Sequence, residues 1–426
     1  MKLGIVADDF TGATDIASML VRGGLRTVQL IGVPGAALPA EAAQADAVVV
    51  ALKSRTAPVG QAVAESLAAL RWLQAAGAQR FVLKVCSTFD STPAGNIGPV
   101  AEALLAALGS AQCVVCPAFP ENGRTVFRGH LFVGDALLSD TGMAQHPLTP
   151  MTDANLLRVM QAQSTQPVGL LRHDVVAAGP QAIAQRLAAL AAEGVVHVVA
   201  DAVDNAALLA LAQGCAGLPL WVAGSGLALG LPALLAAQSG VVLQPGAHRL
   251  DTLAGRAAVL AGSCSTATQA QVAQWQAAGR PAWRVDPLAL ARGEPVVAQA
   301  LAWAGQQADV PLLYATADAA TLAATQAALG TAQAGALVEA ALAAIAQALV
   351  AGGTQRLVVA GGETSGAVVQ ALGVAALRIG AAICPGVPWT QALAGPGQAP
   401  LQLALKSGNF GGPDFFAQAL ATAGAA

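Results

Sequence analysis

The stretch KLGIVADDFTGATD, residues 2–15, decides the fold. Its first half is short and aliphatic, which predicts a strand, and it leads through Asp8 and Asp9 and a Gly/Thr turn into an amphipathic helix over 16–22. Ligands of open α/β sheets bind beyond the carboxyl ends of the strands, so both acids stand where chemistry is expected. One of them is equally well explained as the helix N-cap, a role worth about 0.5–2 kcal/mol.

The rest of the chain repeats this alternation of strand and helix. We expect helices over 59–76, 269–278 and 367–372, separated by apolar strands. The predicted strands cover 27–33, 47–52, 80–85, 113–117, 168–171, 195–201, 220–223, 257–261, 356–360 and 401–405. Such alternation is typical of doubly wound, largely parallel sheets with helices on both faces. The predicted fold class is therefore α/β, with two α/β/α domains and an active site in the interdomain cleft.

The length of the chain and one turn-rich stretch place the domain boundary. A chain of 426 residues exceeds the size at which a single core stops growing, about 250–300 residues. The best linker is Pro245–Arg249, so we expect an N-terminal domain over 1–245 and a C-terminal domain over 255–426.

Composition excludes several classes of partner. The net charge of -3 gives no basic field for nucleic acid or an anionic membrane surface, so a small molecule is the expected partner. The uncharged stretch 206–247 is interrupted by glycine and proline before it could span a membrane. Cys113 and Cys116 have zinc spacing but lie on a predicted buried strand, so we expect free thiols in a reducing cytoplasm. The oligomeric state stays open.

Polar residues gather after the strands of the first domain. Arg55 and Lys84 are cations suited to a small carboxylate, and the loop after Lys84 carries hydroxyl and carboxylate groups suited to a polyol. These loop residues are Ser87, Thr88, Asp90 and Ser91. An ordinary turn with a helix cap explains any one such loop, but several polar strand ends together favour a binding site.

Two later loops are candidates for the same site. Asn122-Gly123 predicts a hairpin with 125–127 returning, and Arg124 beside it would point at the site. The proline-punctuated segment 142–155 resembles a lid or a substrate contact. It is equally consistent with a plain connection in which Thr152 or Asp153 caps a helix that begins at Leu156.

In the second domain, small residues follow several strands and stand at the start of helices. Ser263 and Ser265 follow one strand, a GGETSG segment over 361–366 follows another, and Lys406 and Gly408 follow a third. Backbone N–H groups at a helix N-terminus bind phosphate, and glycine lets a phosphate approach closely. These loops therefore predict a nucleotide site, although no Walker P-loop is present.

With these motifs in view, the sequence resembles the four-carbon acid sugar kinases over essentially its whole length. The motifs are ADDFTGATD (7–15), STFDST (87–92), NGR (122–124), GGETSG (361–366) and KSGN (406–409). Within that family, GNIGP (95–99), the run 146–155 and GGPDFF (411–416) are most similar to the branch that acts on 3-oxo-tetronate.

The resemblance implies an activity and its site residues. The expected reaction is ATP-dependent phosphorylation of the C4 hydroxyl of 3-oxo-tetronate, with sugar acid in the N-terminal domain, ATP in the C-terminal domain, and Mg²⁺ as cofactor. The ATP contacts would be Ser263, Ser265, Gly361, Gly362, Glu363, Thr364, Ser365 and Gly408. The substrate contacts would be Thr11, Arg55, Lys84, Ser87, Thr88, Asp90, Ser91, Asn122 and Arg124.

The expected mechanism gives the two acids different roles. Asp9 accepts the hydroxyl proton and Asp8 binds Mg²⁺ or orients Asp9, although the roles are exchangeable. Arg55 or Lys84 fixes the substrate carboxylate, and Lys406 steadies the phosphates. The alternatives are a kinase of the same family acting on D-threonate or D-erythronate and, from a different class, a sugar-acid sensor without turnover. Metal ligands stay unassigned.

Overall fold

The computed structural model describes residues 1–35, 40–146, 148–393 and 399–422, with the side chains of 40 and 41 left out. The chain forms two compact units, Met1–His248 and Arg249–Ala426. We call them unit 1 and unit 2 and describe each by itself.

Unit 1 alternates strands and helices as expected. Its strands are β1 (Leu3–Ala7), β2 (Thr27–Ile31), β3 (Ala47–Ala51), β4 (Arg80–Lys84), β5 (Cys113–Cys116), β6 (Arg124–Phe127), β7 (His130–Val133), β8 (Ala136–Leu137), β9 (Val168–Leu171), β10 (His197–Ala200) and β11 (Leu220–Ala223). Its helices are α1 (Phe10–Arg22), α2 (Ala40–Gln44), α3 (Val59–Ala75), α4 (Ile97–Leu108), α5 (Leu156–Gln161), α6 (His173–Ala177), α7 (Pro180–Ala192), α8 (Asn205–Gly214) and α9 (Leu231–Ser239).

The strands of unit 1 run in the order β2-β3-β1-β4-β11-β5-β10-β9, and the pairs between them are parallel. From β1 the chain crosses to β2 on one side of β1, and it later adds β4 on the other side of β1. The carboxyl end of β1 is therefore a topological switch point, where open α/β sheets bind ligands. Ala7 aligns with Ala51 on one neighbour and Lys84 on the other, so the loops after these strands meet.

The opening stretch behaves as its sequence indicates. β1 is buried throughout, and α1 buries its core-facing side chains against β1, β2 and β3. Full burial of an aliphatic side chain such as Ile16 contributes about 1.5–3 kcal/mol. The N-cap of α1 is Asp9, whose side chain accepts a hydrogen bond from the Gly12 N–H. The cap explanation therefore applies to the second acid of the pair.

Helices cover both faces of the unit 1 sheet. The crossovers β1–α1–β2 and β3–α3–β4 run in opposite directions, so the right-handed rule puts α1 and α3 on opposite faces. α3 packs with α4, whereas α1 packs with a 3₁₀ helix over Ser225–Gly230 that also contacts α8 and α9. A second, antiparallel sheet has the order β6-β7-β8, and Val126 of β6 makes an isolated β-bridge with Ala202, which follows β10.

Unit 2 has the same α/β character with one departure. Its strands are β12 (Arg256–Ala261), β13 (Ala282–Arg284), β14 (Leu312–Tyr314), β15 (Thr354–Ala360), β16 (Ala376–Cys384), β17 (Val387–Ala392) and β18 (Gln402–Lys406). Its helices are α10 (Thr266–Ala277), α11 (Pro287–Ala291), α12 (Val296–Gly305), α13 (Ala319–Leu329), α14 (Thr331–Ala351), α15 (Gly362–Ala371) and α16 (Phe415–Thr422).

The strand order of unit 2 is β13-β14-β12-β15-β18-β17-β16. The first five strands are parallel, while β16, β17 and β18 pair antiparallel, a hairpin that the sequence analysis did not predict. Ala261, Ala360 and Lys406 align across β12, β15 and β18. The three small-residue loops that follow these strands therefore lie at one edge of the sheet.

The long helix α14 is an apolar component of unit 2. By length and hydropathy it is the one helix of the described ranges that meets the criteria for crossing a membrane. It packs on α15, α12, β12 and β15, and a third of its most apolar window is buried. These contacts are those of a helix that covers one face of a sheet.

Candidate active site

Asp8, Asp9 and Arg55 form a compact ion group beyond β1. Arg55 Nε donates to Asp8 Oδ2 at 2.9 Å and Nη2 donates to Asp8 Oδ1 at 2.9 Å, which is the bidentate geometry. Arg55 Nη2 also lies 2.8 Å from Asp9 Oδ1, and Nη1 lies 3.9 Å from Asp90 Oδ2. One guanidinium thus faces three carboxylates, so this group carries excess negative charge.

The surroundings shift the pKa values of the two tandem acids in opposite directions. Burial raises the pKa of Asp8 and outweighs the opposing effect of Arg55. Burial acts on Asp9 as well, but Arg55, Lys84 and the hydrogen bonds from Thr11 and Gly12 outweigh it, so the pKa of Asp9 is lowered. Asp9 is consequently ionised at neutral pH, while Asp8 holds a proton more readily than an ordinary aspartate.

Lys84 and Gly12 lie beside Asp9 in this site. Lys84 is buried at the end of β4, where its Nζ donates to the Val85 carbonyl at 2.8 Å. A Cβ atom at Gly12 would overlap the Asp9 carboxylate and lie 2.9 Å from Lys84 Nζ. Glycine at position 12 therefore lets the first turn of α1 close over Asp9. Thr11, on the same turn, donates its hydroxyl to Asp9 Oδ2 at 2.9 Å.

The loop after β4 is held by its own polar groups. Thr88 Oγ1 donates to Asp90 Oδ1 at 2.5 Å and lies 2.9 Å from Cys86 Sγ. Ser91 Oγ donates to Gln163 Oε1 at 3.0 Å. Ser87 is half-buried on this loop. These hydrogen bonds fix the positions of the polar side chains on the loop.

The sequence analysis missed two amides that support these loops. Asn96 Nδ2 donates to the carbonyl oxygens of Ser54, Arg55 and Ala57, which fixes the turn that presents Arg55. Gln163 Oε1 accepts from the backbone N–H groups of Ile97 and Gly98 as well as from Ser91. Asn96 belongs to the GNIGP motif, which was the available signal, whereas nothing in the sequence around Gln163 indicates its role.

A second group of polar atoms surrounds Asp15 of α1. Arg124 and Ser225 both act on its carboxylate, and burial raises the pKa of Asp15 against their effect and that of Lys84. Four buried side-chain atoms there have no hydrogen-bond partner of good geometry among the described residues. They are Asp15 Oδ1, Ser225 Oγ, Asn122 Nδ2 and Arg124 Nε. Such atoms are costly when unpaired, which indicates a place for a polar ligand or water.

The predicted hairpin at Asn122-Gly123 forms differently from the expectation. Phe119 and Arg124 make a single antiparallel bridge across the turn Pro120–Asn122. The extended pairing of β6 is instead with β7, through a turn at Arg128 and Gly129, both with positive φ. Arg124 donates to the Asn122 carbonyl, so the two predicted site residues are neighbours.

Met151 brings the segment 142–155 into contact with the loop after β4. Met151 Sδ accepts from the Ser91 N–H at 3.4 Å. α5 begins at Leu156 as expected, but its cap is Asn155, which accepts from the N–H groups of Leu157 and Arg158, so the assignment to Thr152 or Asp153 was wrong. Pro147, within this segment, lies outside the described residues.

The small-residue loops of unit 2 border a cavity of about 310 Å³. Gly361 has φ 128°, a region open mainly to glycine, and α15 begins directly after it at Gly362. Of the predicted ATP contacts, the wall includes Ser263, Gly361, Gly362, Glu363 and Thr364. Thr364 and Ser365 are buried in the first turn of α15. A cavity of this size at a helix N-terminus suits a nucleotide.

Ser265 and Gly408 join the β12 and β18 loops. Ser265 caps α10, and its Oγ donates to the Gly408 carbonyl at 2.6 Å. A side chain at Gly408 would overlap Ser263 Oγ. These contacts hold the loops after β12 and β18 against each other.

Lys406 is the last residue of β18. It is fully buried, and its Nζ donates to Thr268 Oγ1 and to the carbonyl oxygens of Ser407 and Gly408. Its ammonium is turned into unit 2 and is already hydrogen-bonded. The expectation that it steadies the phosphates stays a prediction, and the contacts in this structure are with the loop that carries Gly408.

The remaining candidates are possible metal ligands. Cys113 and Cys116 are buried on β5, and burial raises the pKa of both thiols, which keeps them in the protonated form that binds metals poorly. In the described ranges, no group of three or more His, Cys, Asp or Glu side chains is arranged to hold a metal ion. Mg²⁺ in nucleotide sites takes one or two carboxylates together with phosphate oxygens and waters, and Glu339 and Glu363 offer carboxylates on the cavity wall.

Two family models match the chain. One is described as Sugar-binding N-terminal domain and covers residues 3–231; the other is described as Nucleotide-binding C-terminal domain and covers 258–416. Together they span both units.

Named relatives match over nearly the full length. A 3-oxo-tetronate kinase of Cupriavidus necator is 60% identical over 98% of this chain and 96% of that protein. Proteins of the same name from Pseudomonas fluorescens and Actinobacillus succinogenes are 59% and 45% identical, each over 98% of this chain and over 96% and 98% of those proteins.

Solved structures agree on the fold. A Salmonella typhimurium LT2 protein described as a putative tRNA synthase matches with a TM-score of 0.85 and 43% identity, covering 98% of both chains. Haemophilus influenzae protein HI1011 matches with a TM-score of 0.79 and 43% identity over 98% of this chain and 99% of that one.

Proposed function

The chain belongs to the four-carbon acid sugar kinase family, and we propose that it transfers the terminal phosphate of ATP to the C4 hydroxyl of 3-oxo-tetronate. The products are 3-oxo-tetronate 4-phosphate and ADP. The observation that carries the proposal is the ion group of Asp8, Asp9 and Arg55 at the switch point of unit 1. The full-length identity to 3-oxo-tetronate kinases supports the choice of acid.

Asp9 is the better candidate for the residue that accepts the hydroxyl proton. Both oxygens of Asp8 accept from Arg55, whereas Asp9 Oδ2 has a single hydrogen bond, from Thr11. The lowered pKa of Asp9 keeps it ionised at neutral pH. Phosphoryl transfer has a loose transition state and demands position more than a strong base, so a carboxylate of low basicity suffices. Asp8 then serves to hold Arg55, and through it Asp9, in place.

The substrate carboxylate is better served by Arg124 than by Arg55. Arg55 is surrounded by Asp8, Asp9 and Asp90, so an additional anion there would be repelled. Among the described residues, Arg124 Nε and Asn122 Nδ2 are buried donors without a hydrogen-bond partner, and the two oxygens of a carboxylate accept from donors of this kind. Lys84 adds positive charge between the two groups, because it acts on both Asp9 and Asp15.

ATP is assigned to the unit 2 cavity. Its phosphates would meet the N–H groups at the start of α15 and the Ser263 loop, where the helix dipole favours negative charge. Mg²⁺ carried on the phosphates would neutralise charge on the transferred group, and Glu339 and Glu363 fit as its carboxylate neighbours. Transfer requires the γ-phosphate to meet the acceptor hydroxyl, and the interdomain active site stays a prediction. The cytoplasm, which supplies ATP, is the proposed compartment.

The test is ADP release with Mg-ATP across 3-oxo-tetronate, D-threonate, L-threonate and D-erythronate. We expect strong preference for the 3-oxo acid in kcat/KM. A preference for D-threonate or D-erythronate would retain the kinase and overturn the substrate. Binding of the acid without ADP release from any of the four would favour the sensor instead.

A further inference from the structure

Gln163 has a buried side chain whose carbonyl oxygen joins two elements of the proposed acid site. The residue follows α5 and is 8% exposed. Its Oε1 accepts from Ser91 Oγ at 3.0 Å, from the Ile97 N–H at 3.1 Å and from the Gly98 N–H at 3.4 Å. The first donor belongs to the loop after β4, and the other two belong to the first turn of α4. One atom therefore connects that loop to α4.

Gln163 also supplies the cap of α4. The N-cap residue is Asn96, but its side chain makes no hydrogen bond to the N–H groups of the first turn. Its Nδ2 instead donates to the carbonyl oxygens of Ser54, Arg55 and Ala57. The N–H groups at the start of a helix need acceptors from outside the helix, and Gln163 provides one from another segment of the chain. The amide of Asn96 can therefore hold the turn that presents Arg55.

The backbone around Gln163 is fixed to α4 as well. The Glu102 carboxylate, on the same helix, accepts from Ser164 Oγ at 2.7 Å and from the Thr165 N–H and hydroxyl, each at 2.8 Å. A Cβ atom at Gly98 would lie 2.5 Å from the Gln163 carbonyl oxygen, so the two backbones are in direct contact there. This segment therefore has a defined position against α4, and the Gln163 side chain is held where its oxygen meets the three donors.

These contacts account for the glycines of the GNIGP motif, residues 95–99. A Cβ atom at Gly95 would overlap Ser91 Oγ, the same hydroxyl that donates to Gln163. A Cβ atom at Gly98 would meet the backbone of Gln163. Both glycines therefore allow the close approach of the groups that Gln163 connects.

We propose that Gln163 is a positioning residue for the acid substrate, because its Oε1 sets the place of Asp90 relative to Arg55. Ser91 directly follows Asp90, whose Oδ2 lies 3.9 Å from Arg55 Nη1. Arg55 also pairs with Asp9, the proposed proton acceptor. Without the oxygen of Gln163, three buried donors lose their acceptor, and the two loops shift relative to each other to recover partners. The inference rests on the proposed acid site in unit 1.

The test is steady-state kinetics of Gln163→Met in the full chain, with 3-oxo-tetronate and ATP varied in turn. Methionine is about as long as glutamine, and its thioether is only a weak acceptor. We expect kcat/KM for the acid to fall about 10²-fold, as for a displacement near 1 Å, and KM for ATP to stay within about twofold. The split follows because Gln163 acts on unit 1, whereas ATP is assigned to unit 2.

Gln161→Met is the matched control. Gln161 ends α5, and its amide donates to the carbonyl oxygens of Ser164 and Gln166 and accepts from the Val168 N–H. None of these partners lies on the loops after β3 and β4. We expect both variants to lower the midpoint of thermal unfolding, but only Gln163→Met to lower kcat/KM for the acid. A merely structural role of Gln163 predicts that the two variants behave alike, and that result overturns the inference.

Gly98→Ala disturbs the same contact from the side of α4 and covers the case in which Gln163→Met does not fold. Its Cβ displaces the Gln163 backbone, so we expect the same split, with a loss in kcat/KM for the acid and an unchanged KM for ATP. Natural kinetics in a folded Gln163→Met or in Gly98→Ala, or a KM for ATP that rises as much as that for the acid, overturns the inference alone. Absence of ADP release by the natural chain with 3-oxo-tetronate overturns the proposed function and the inference together.

Discussion

Asp9 is at once a helix cap, an ion-pair partner and the proposed proton acceptor. It accepts from the Gly12 N–H and the Thr11 hydroxyl, and it faces Arg55. The sequence analysis left the cap and the chemistry as competing explanations for the tandem acids, but the two are compatible here because the cap uses one oxygen. Asp8, with both oxygens on Arg55, is the supporting acid.

Asp9→Asn separates these roles. Asparagine is about as good an N-cap as aspartate, so we expect the free energy of unfolding to change by less than about 1 kcal/mol. It cannot accept the proton, and kcat should fall on the order of 10²–10⁴-fold. Steady-state kinetics and thermal unfolding measure the two effects, with the exposed Asp174→Asn as control. Turnover within a few-fold of normal in a folded variant would remove Asp9 from the chemistry.

Gly12 is the residue whose lack of a side chain shapes the acid site. Alanine favours helix over glycine by about 1 kcal/mol, which is comparable to the cost of disturbing the Asp9 N-cap, so we expect Gly12→Ala to change the stability of α1 little. The added Cβ overlaps the Asp9 carboxylate, and a displacement near 1 Å is expected to lower kcat/KM for the acid about 10²-fold. Kinetics with varied acid at saturating ATP measure it. Gly60→Ala in α3, which adds a Cβ in open space, should be neutral; equal behaviour of the two variants would contradict the account.

At the scale of elements, the alignment of strand ends was predictable and side-chain pairing was not. Parallel strands necessarily bring their carboxyl ends together, so the polar loops after β1, β3 and β4 could be grouped from sequence. The ion pairs of Arg55 with Asp8 and Asp9 depend on side-chain rotamers in two loops, which the sequence does not specify. The inward course of Lys406 depends likewise on acceptors supplied by α10.

Elements were missed where the local signal was weak. The β16–β17 hairpin turns at Pro385 and Gly386, a turn dipeptide that was not used. The helices α13 and α14 are alanine-rich, so their apolar residues show little 3.6-residue periodicity. The cap of α5 at Asn155 was missed because Thr152 and Asp153 compete for it in sequence.

The loop between β15 and α15 yields a prediction of its own. Gly361→Ala places alanine at φ 128°, which costs on the order of 1–3 kcal/mol, with its Cβ 2.9 Å from Thr364 Oγ1. If this cost falls on the nucleotide-bound loop, we expect KM for ATP to rise about 5- to 150-fold, since 1.4 kcal/mol is a factor of ten. Gly305→Ala, at the end of α12, adds a Cβ without a close contact and is the control. An unchanged KM for ATP in Gly361→Ala would exclude this loop from the nucleotide site.

At the scale of the whole molecule, each unit carries one half of the proposed reaction. In unit 1, aspartates and buried donors without a partner among the described residues are proposed to bind the four-carbon substrate. In unit 2, helix N-termini beside a cavity are proposed to bind the polyphosphate. Composition and motif order were sufficient to predict two α/β domains, because alternation of strand and helix is a chain-wide signal.

The most direct test of the central claim is the position of the transferred phosphate. After reaction of the full chain with Mg-ATP and 3-oxo-tetronate, proton-coupled ³¹P NMR reads the number of neighbouring protons. We predict a phosphomonoester triplet from the two C4 protons, formed in step with ADP. A doublet from the single C2 proton, an uncoupled acyl phosphate signal, or ATP consumption without any phosphorylated acid would contradict the account.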